Sequence, residues 1–145
     1  MQFRKFEKLV LSVALTLAAL SGSAAQAGDV VVVVSAKSSV GHLTPDQVGQ
    51  IFLSKTVAYP GGETATPVDL SEGAAREEFY MKVTGKDQSQ LKAYWSQLLF
   101  TGKAKRPKAV PDDAEVKKTV AANPGMIGYI SKGAVDSSIK VVLAP

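Results

Sequence analysis

Valines 30 to 34 follow one another with no polar residue between them. A β-branched run without alternation predicts a strand buried on both faces, in the middle of a helix-covered sheet. The spacing then turns helical. Thr44, Pro45 and Gln47 supply an N-cap, a first-turn proline and a capping-box partner, and predict a helix to about Ser54 that buries Val48, Ile51 and Phe52. Tyr59 to Gly62 has turn chemistry. Ala65 to Leu70 reads as a short strand, with Pro67 placing it near an edge or starting it late. A helix over about Gly73 to Val83 puts Ala75, Phe79 and Val83 on one face and ends at Gly85.

Asp87 and Gln90 form the next capping box. Behind them Leu91, Tyr94, Trp95, Leu98 and Leu99 stand at i, i+3, i+4, i+7 and i+8, the clearest amphipathic stripe in the chain. Thr101 to Pro111 reads as a basic loop. Asp112 and Glu115 read as a further capping box that opens a helix to about Ala122, and Asn123-Pro124-Gly125 turns the chain into a strand over Met126 to Ile130. Ile139 to Leu143 is the last strand. Strands separated by helices predict an α/β sandwich around a mostly parallel or mixed sheet.

The first residues stand outside this alternation. Arg4, Lys5 and Lys8 precede an apolar run from Leu9 to Leu20, and Ala25-Gln26-Ala27 follows as a small-x-small site. This reads as a secretory signal over residues 1–27, cleaved before Gly28. Its apolar run of about 12 residues falls short of the roughly 20 that cross a bilayer. Residues 28–145 are then expected to form one exported, periplasmic domain. Of 17 basic and 13 acidic residues, Arg4, Lys5, Lys8 and Glu7 fall in the leader, so the remainder carries 14 against 12, a net +2. That balance does not argue for nucleic acid. With no cysteine in the chain, disulfides, thiolate chemistry and a lipid anchor on cysteine are excluded.

Little in the sequence speaks for catalysis. His42 is the one histidine and reads as a surface residue ahead of a helix. Glu77 and Glu78 are consecutive on a helix and diverge, Asp112 and Asp113 serve as caps, and no metal cluster, phosphate loop or dinucleotide fingerprint occurs. Neither an enzyme nor a cofactor is expected. The stretch DLSEGAAREEFY, residues 69–80, is different. A helix start presents unpaired N–H groups and a positive dipole end, both favourable to anions. Gly73, Ala74 and Ala75 would let an anion approach that backbone, and Arg76 would offer a guanidinium. The competing reading is an ordinary helix start, capped by Ser71 or a neighbour, with Arg76 paired to Glu72 or Glu77 in solvent. Lys103, Lys105, Arg106 and Lys108 form a basic cluster that reads as a solvated loop or as a surface that steers anions or docks an acidic partner or lipid. Tyr94 and Trp95 read as core. Gly125, Gly128 and Tyr129 read as strand packing and a tight turn, with a ligand contact from Tyr129 as the alternative.

LTPDQVGQIFLSK, SEGAAREEFY and NPGMIGYI, in this order, resemble the periplasmic phosphate-binding proteins of ABC uptake systems over roughly residues 30 to 143. The likeness is closest to short, single-domain members. It implies a single lobe of a type II periplasmic-binding-protein-like fold, with a mixed sheet flanked by helices. It also implies an anion site, for phosphate or a similar oxyanion, at Ser71, Gly73, Ala74, Ala75 and Arg76. The chain departs from the family in two ways. Gly73 and Ala75 stand where the family has hydroxyls, which leaves Arg76 and the backbone amides as donors and Ser71 just outside the matching positions. A transport receptor also closes two lobes on its ligand, whereas this chain supplies about one. An ABC membrane component or a second copy would have to complete the shell. The rival expectation is an envelope interaction module that kept the lobe and lost the ligand.

Overall fold

The computed structural model describes residues 30–102 and 104–145; the expected signal segment and its cleavage site lie outside the described residues. The elements run β1 (Val30–Ser35), α1 (Pro45–Phe52), β2 (Thr66–Leu70), α2 (Ala74–Thr84), α3 (Gln88–Phe100), β3 (Lys108–Val110), α4 (Asp113–Ala122), β4 (Met126–Ser131), a 3-10 turn (Lys132–Ala134) and β5 (Ile139–Leu143). The strands form one mixed sheet in the order β3-β2-β4-β1-β5. β2 pairs in parallel with both β3 and β4, while β1 is antiparallel to both of its neighbours, β4 and β5.

The valine run does what its pattern demands, since all of β1 is buried. A double-sided apolar strand usually signals a parallel neighbourhood; here it signals burial alone. Pro67 is also accommodated as expected. β2 is an inner strand, but its pairing to β3 begins only at Val68, so the proline precedes the second ladder.

Strand alternation assigns the two layers. A methyl group built on Gly128 of β4 would lie 2.5 Å from Val116 Cγ1 and 3.2 Å from Val120 Cγ2, so α4 sits directly on this face. The next residue, Tyr129, points the other way and stacks on Phe79 of α2 at 3.9 Å between ring centroids. Phe52 of α1 joins that cluster, 4.7 Å from Phe79 and 5.8 Å from Tyr129. Glycine at 128 is therefore a packing requirement, as its place in the sequence suggested.

Capping follows the sequence closely at α1 and α3, where Thr44–Gln47 and Asp87–Gln90 form complete boxes. At α4 Asp112 accepts from the Glu115 N–H at 2.9 Å. α3 buries Leu91 and Trp95, half-buries Tyr94 and Leu98, and leaves Leu99 and Phe100 exposed. The expected stripe is thus anchored at its first turns and runs out at its end. Tyr94 is not purely core, since its hydroxyl donates to the Leu53 carbonyl at 2.6 Å. β3 lies inside the expected loop. Three residues with Lys108 and Ala109 exposed leave no periodicity to read.

Candidate anion site at the start of α2

β2, β3 and β4 run parallel, so their carboxyl ends, Leu70, Val110 and Ser131, meet at one edge of the sheet. In open α/β sheets this edge is where ligands bind. Two helices start there. α4 has its first turn occupied by its own acids: Asp112 caps it, and Asp113 Oδ2 accepts from the Ser131 N–H at 3.1 Å. α2 does not. Its N-cap is Gly73, and no side chain caps it. The chain reaches that start through Gly73 at φ 109° and ψ 171°, a region essentially closed to residues with a Cβ. The Ser71 N–H is tied to the Val110 carbonyl at 3.0 Å, which fixes the turn to the end of β3.

Ser71, Glu72, Gly73 and Ala74 are exposed, while Ala75 and Arg76 are half-buried. The geometry departs from the ordinary helix start considered above. Ser71 does not cap α2, and Arg76 does not turn out to Glu72 or Glu77. Its Nε lies 3.6 Å from Asp69 Oδ2 beneath the turn, its guanidinium sits 5.1 Å above the Tyr80 ring, and its Nη1 donates to Gln88 Oε1. Arg76 is a braced cation, with 17% of its side chain still accessible.

Asp69 is the centre of this bracing. It is buried at the end of β2, where Tyr80 donates to Oδ2 at 2.7 Å and Tyr129 donates to Oδ1. The Tyr129 oxygen in turn accepts the Leu70 N–H at 3.2 Å. Burial raises the Asp69 carboxyl above its ordinary value, against the opposing pull of the two tyrosine hydroxyls, the Arg76 charge and the Leu70 N–H. Burial and the Asp69 charge push both tyrosines upward, so they remain hydroxyl donors. Tyr129 is fully buried and spends its hydroxyl here, which removes the alternative of a ligand contact from that side chain. Asp69 is a buried site residue that the sequence reading did not single out. A carboxylate flanked by Val68 and Leu70 in a buried segment was the available signal.

His42 is exposed, as expected. Among the described residues no cluster of histidine, cysteine or acidic side chains is arranged to hold a metal, and no helix is long and apolar enough to cross a membrane.

No family model and no curated protein matches the sequence. Solved structures do match the fold. A phosphate ABC transporter substrate-binding protein from Clostridium perfringens, solved with bound phosphate, is similar at TM-score 0.59 and 21% identity. An ABC-type phosphate transport receptor from Vibrio cholerae is similar at 0.57 and 19%, and a phosphate-binding protein from Planctomyces limnophilus at 0.57 and 17%. Each alignment covers 79% of this chain but only 44%, 45% and 40% of the respective partner. The chain has the fold of phosphate-binding proteins. At these identities it is the fold that is shared, and the chain spans less than half the length of the proteins it matches.

Proposed function

We propose that residues 28–145 form an exported, periplasmic single-lobe anion-binding protein that works in or beside ABC uptake, with phosphate as its ligand. The observation that carries this reading is the uncapped start of α2 at the carboxyl edge of the sheet, in a fold shared with a protein solved holding phosphate. The amides of Gly73, Ala74 and Ala75 donate to the anion, the Ser71 hydroxyl adds a donor, and Arg76 supplies positive charge from its braced position.

The affinity follows from the number of donors. A hydrogen bond to a charged group contributes roughly 1.5–3 kcal/mol net, while micromolar binding needs about 8 kcal/mol. Three amides and a hydroxyl sum to roughly 6–12 kcal/mol, from which association subtracts at least about 4 kcal/mol. On an open surface, beside an arginine already facing Asp69, that places the isolated lobe near millimolar affinity. An ABC membrane component or a second copy completes the shell in this reading.

A second reading has its own support. Asp69 offsets much of the Arg76 charge, and Glu72 and Glu77 stand beside the turn. Those features suit an envelope interaction module that has lost its ligand.

Thermal unfolding of the chain from Gly28 onward separates the two, with phosphate titrated against chloride at matched ionic strength. Ligand at about 10 times its dissociation constant, about 10 mM for a millimolar site, adds about 1.4 kcal/mol, a few degrees for a domain of this size. The phosphate-dependent shift is read within each of three proteins: parent, Arg76→Gln and Gly73→Ala. Both substitutions should abolish it, whatever they do to the baseline. A parent that does not respond up to about 10 mM phosphate, below which the expected affinity lies, supports the module.

A further inference from the structure

A second concave feature lies at the opposite edge of the sheet. Ala65, Thr66 and Pro67 at the start of β2, Pro107 and Lys108 at the start of β3, and Ser54 and Val57 beyond α1 line a cleft of about 520 Å³. Because β2 and β3 are parallel, this is the amino edge of those strands, away from the start of α2. The cleft is therefore independent of whether α2 takes an anion.

Its walls are held in place. The Ser54 hydroxyl donates to the Lys105 carbonyl at 2.8 Å, and the Ala65 N–H donates to the Val57 carbonyl at 2.8 Å. Ser54 has φ 57°, the one non-glycine with positive φ among the described residues. Strain of this kind persists where surrounding contacts impose it, and it gathers at functional sites.

The electrostatics are one-sided. Lys105, Arg106 and Lys108 line the cleft and are exposed, and among the described residues no carboxylate lines it. Among the described residues none of the three forms an ion pair. Beside them lies an apolar wall of Val57, Pro67 and Pro107, in which Val57 is 72% exposed.

Charge complementarity selects an acidic occupant, and shape restricts it further. A bilayer surface is flat and would leave the cleft unfilled. Among the described residues the lining holds no aromatic ring on which a nucleic-acid base would stack. A lone oxyanion would meet neither the apolar wall nor the full volume. An extended peptide meets both, lying across the amino ends of β2 and β3. We propose that this cleft docks an acidic, extended segment of a partner protein. One aliphatic side chain lodges against Val57, Pro67 and Pro107, and flanking carboxylates face Lys105, Arg106 and Lys108.

The test uses the chain from Gly28 onward and a fluorescein-labelled peptide, Asp-Leu-Glu-Asp-Leu-Glu-Asp, read by fluorescence anisotropy. Saturable binding is expected, weaker at about 300 mM than at about 50 mM salt. The double substitution Lys105→Glu/Arg106→Glu should weaken it at least about tenfold, and Val57→Asp by a similar factor. Arg76→Gln should leave it unchanged, which keeps this site separate from the α2 turn. No saturable binding by the parent overturns the proposal. So does equal binding of a charge-matched probe with glycine in place of leucine, which would mean ionic attraction without a cleft. Binding of phosphatidylglycerol vesicles that is lost in the charge-reversed variant, with no binding of the peptide, would replace the peptide by a membrane surface.

Discussion

Asp69→Asn distinguishes two accounts of the buried carboxylate. The substitution keeps the shape and one acceptor, but it puts an NH2 group where Oδ2 receives the Tyr80 hydroxyl and faces Arg76 Nε. Leaving the buried Tyr80 hydroxyl without its acceptor costs about 1–3 kcal/mol. That corresponds to a fall of about 5–15 °C in the thermal midpoint for a domain of this size. The pH dependence is the sharper test. Because burial holds the folded carboxyl above its ordinary value of 3.8, the folded state prefers the protonated form. The contribution of Asp69 to stability is then fully present below pH 3.8 and declines as pH rises through the raised value. Asparagine does not titrate, so the difference between parent and variant should be greatest in acid and shrink toward neutrality. Urea unfolding of both proteins from about pH 3 to pH 8 measures this difference and cancels the groups they share. A penalty that grows with pH would refute the reasoning. It would mean that the pairing with Arg76 outweighs desolvation and holds the carboxyl below its ordinary value.

Gly128→Ala should destabilise by about 1–3 kcal/mol, because the new methyl group meets Val116 at 2.5 Å on a closely packed face. Adding Val116→Ala should recover part of that loss in chemical denaturation, and a purely additive double variant would place the cost elsewhere. Thr44→Ala should lower stability by about 1 kcal/mol through loss of the bond to the Gln47 N–H, read as an earlier urea midpoint at unchanged slope.

Most of the fold could be read in the sequence, because its signals are local. The valine run, the capping boxes opened by Thr44 and Asp87, and the Asn123-Pro124-Gly125 turn act within a few residues of themselves, and the structure places them as the pattern demands. What escaped was fixed by partners distant in the chain. β3 has almost no pattern of its own and is a strand because parallel β2 offers it a ladder. β1 is buried on both faces, yet its direction relative to β4 and β5 is set by the connections and not by its valines. The expected site residues stand at the edge where parallel strands end, where Gly73 is exposed and the α2 start carries no side-chain cap.

The environment of Arg76 could not be read in the same way. Tyr129 is 60 residues from Asp69 along the chain, Tyr80 is 11 residues from Asp69, and Gln88 reaches Arg76 from the start of the next helix, 12 residues on. In solvent Arg76 would pair with a flexible neighbouring glutamate and stay free to reach a ligand. Held against Asp69 and Gln88, it has lost the freedom to wrap around an anion, but it keeps a fixed charge in the first turn of α2. A site built this way loses little entropy on binding, because its donors are already placed. It has few donors to offer. The bracing therefore favours a weak and rigid recognition element, whose strength depends on the surface that closes over it.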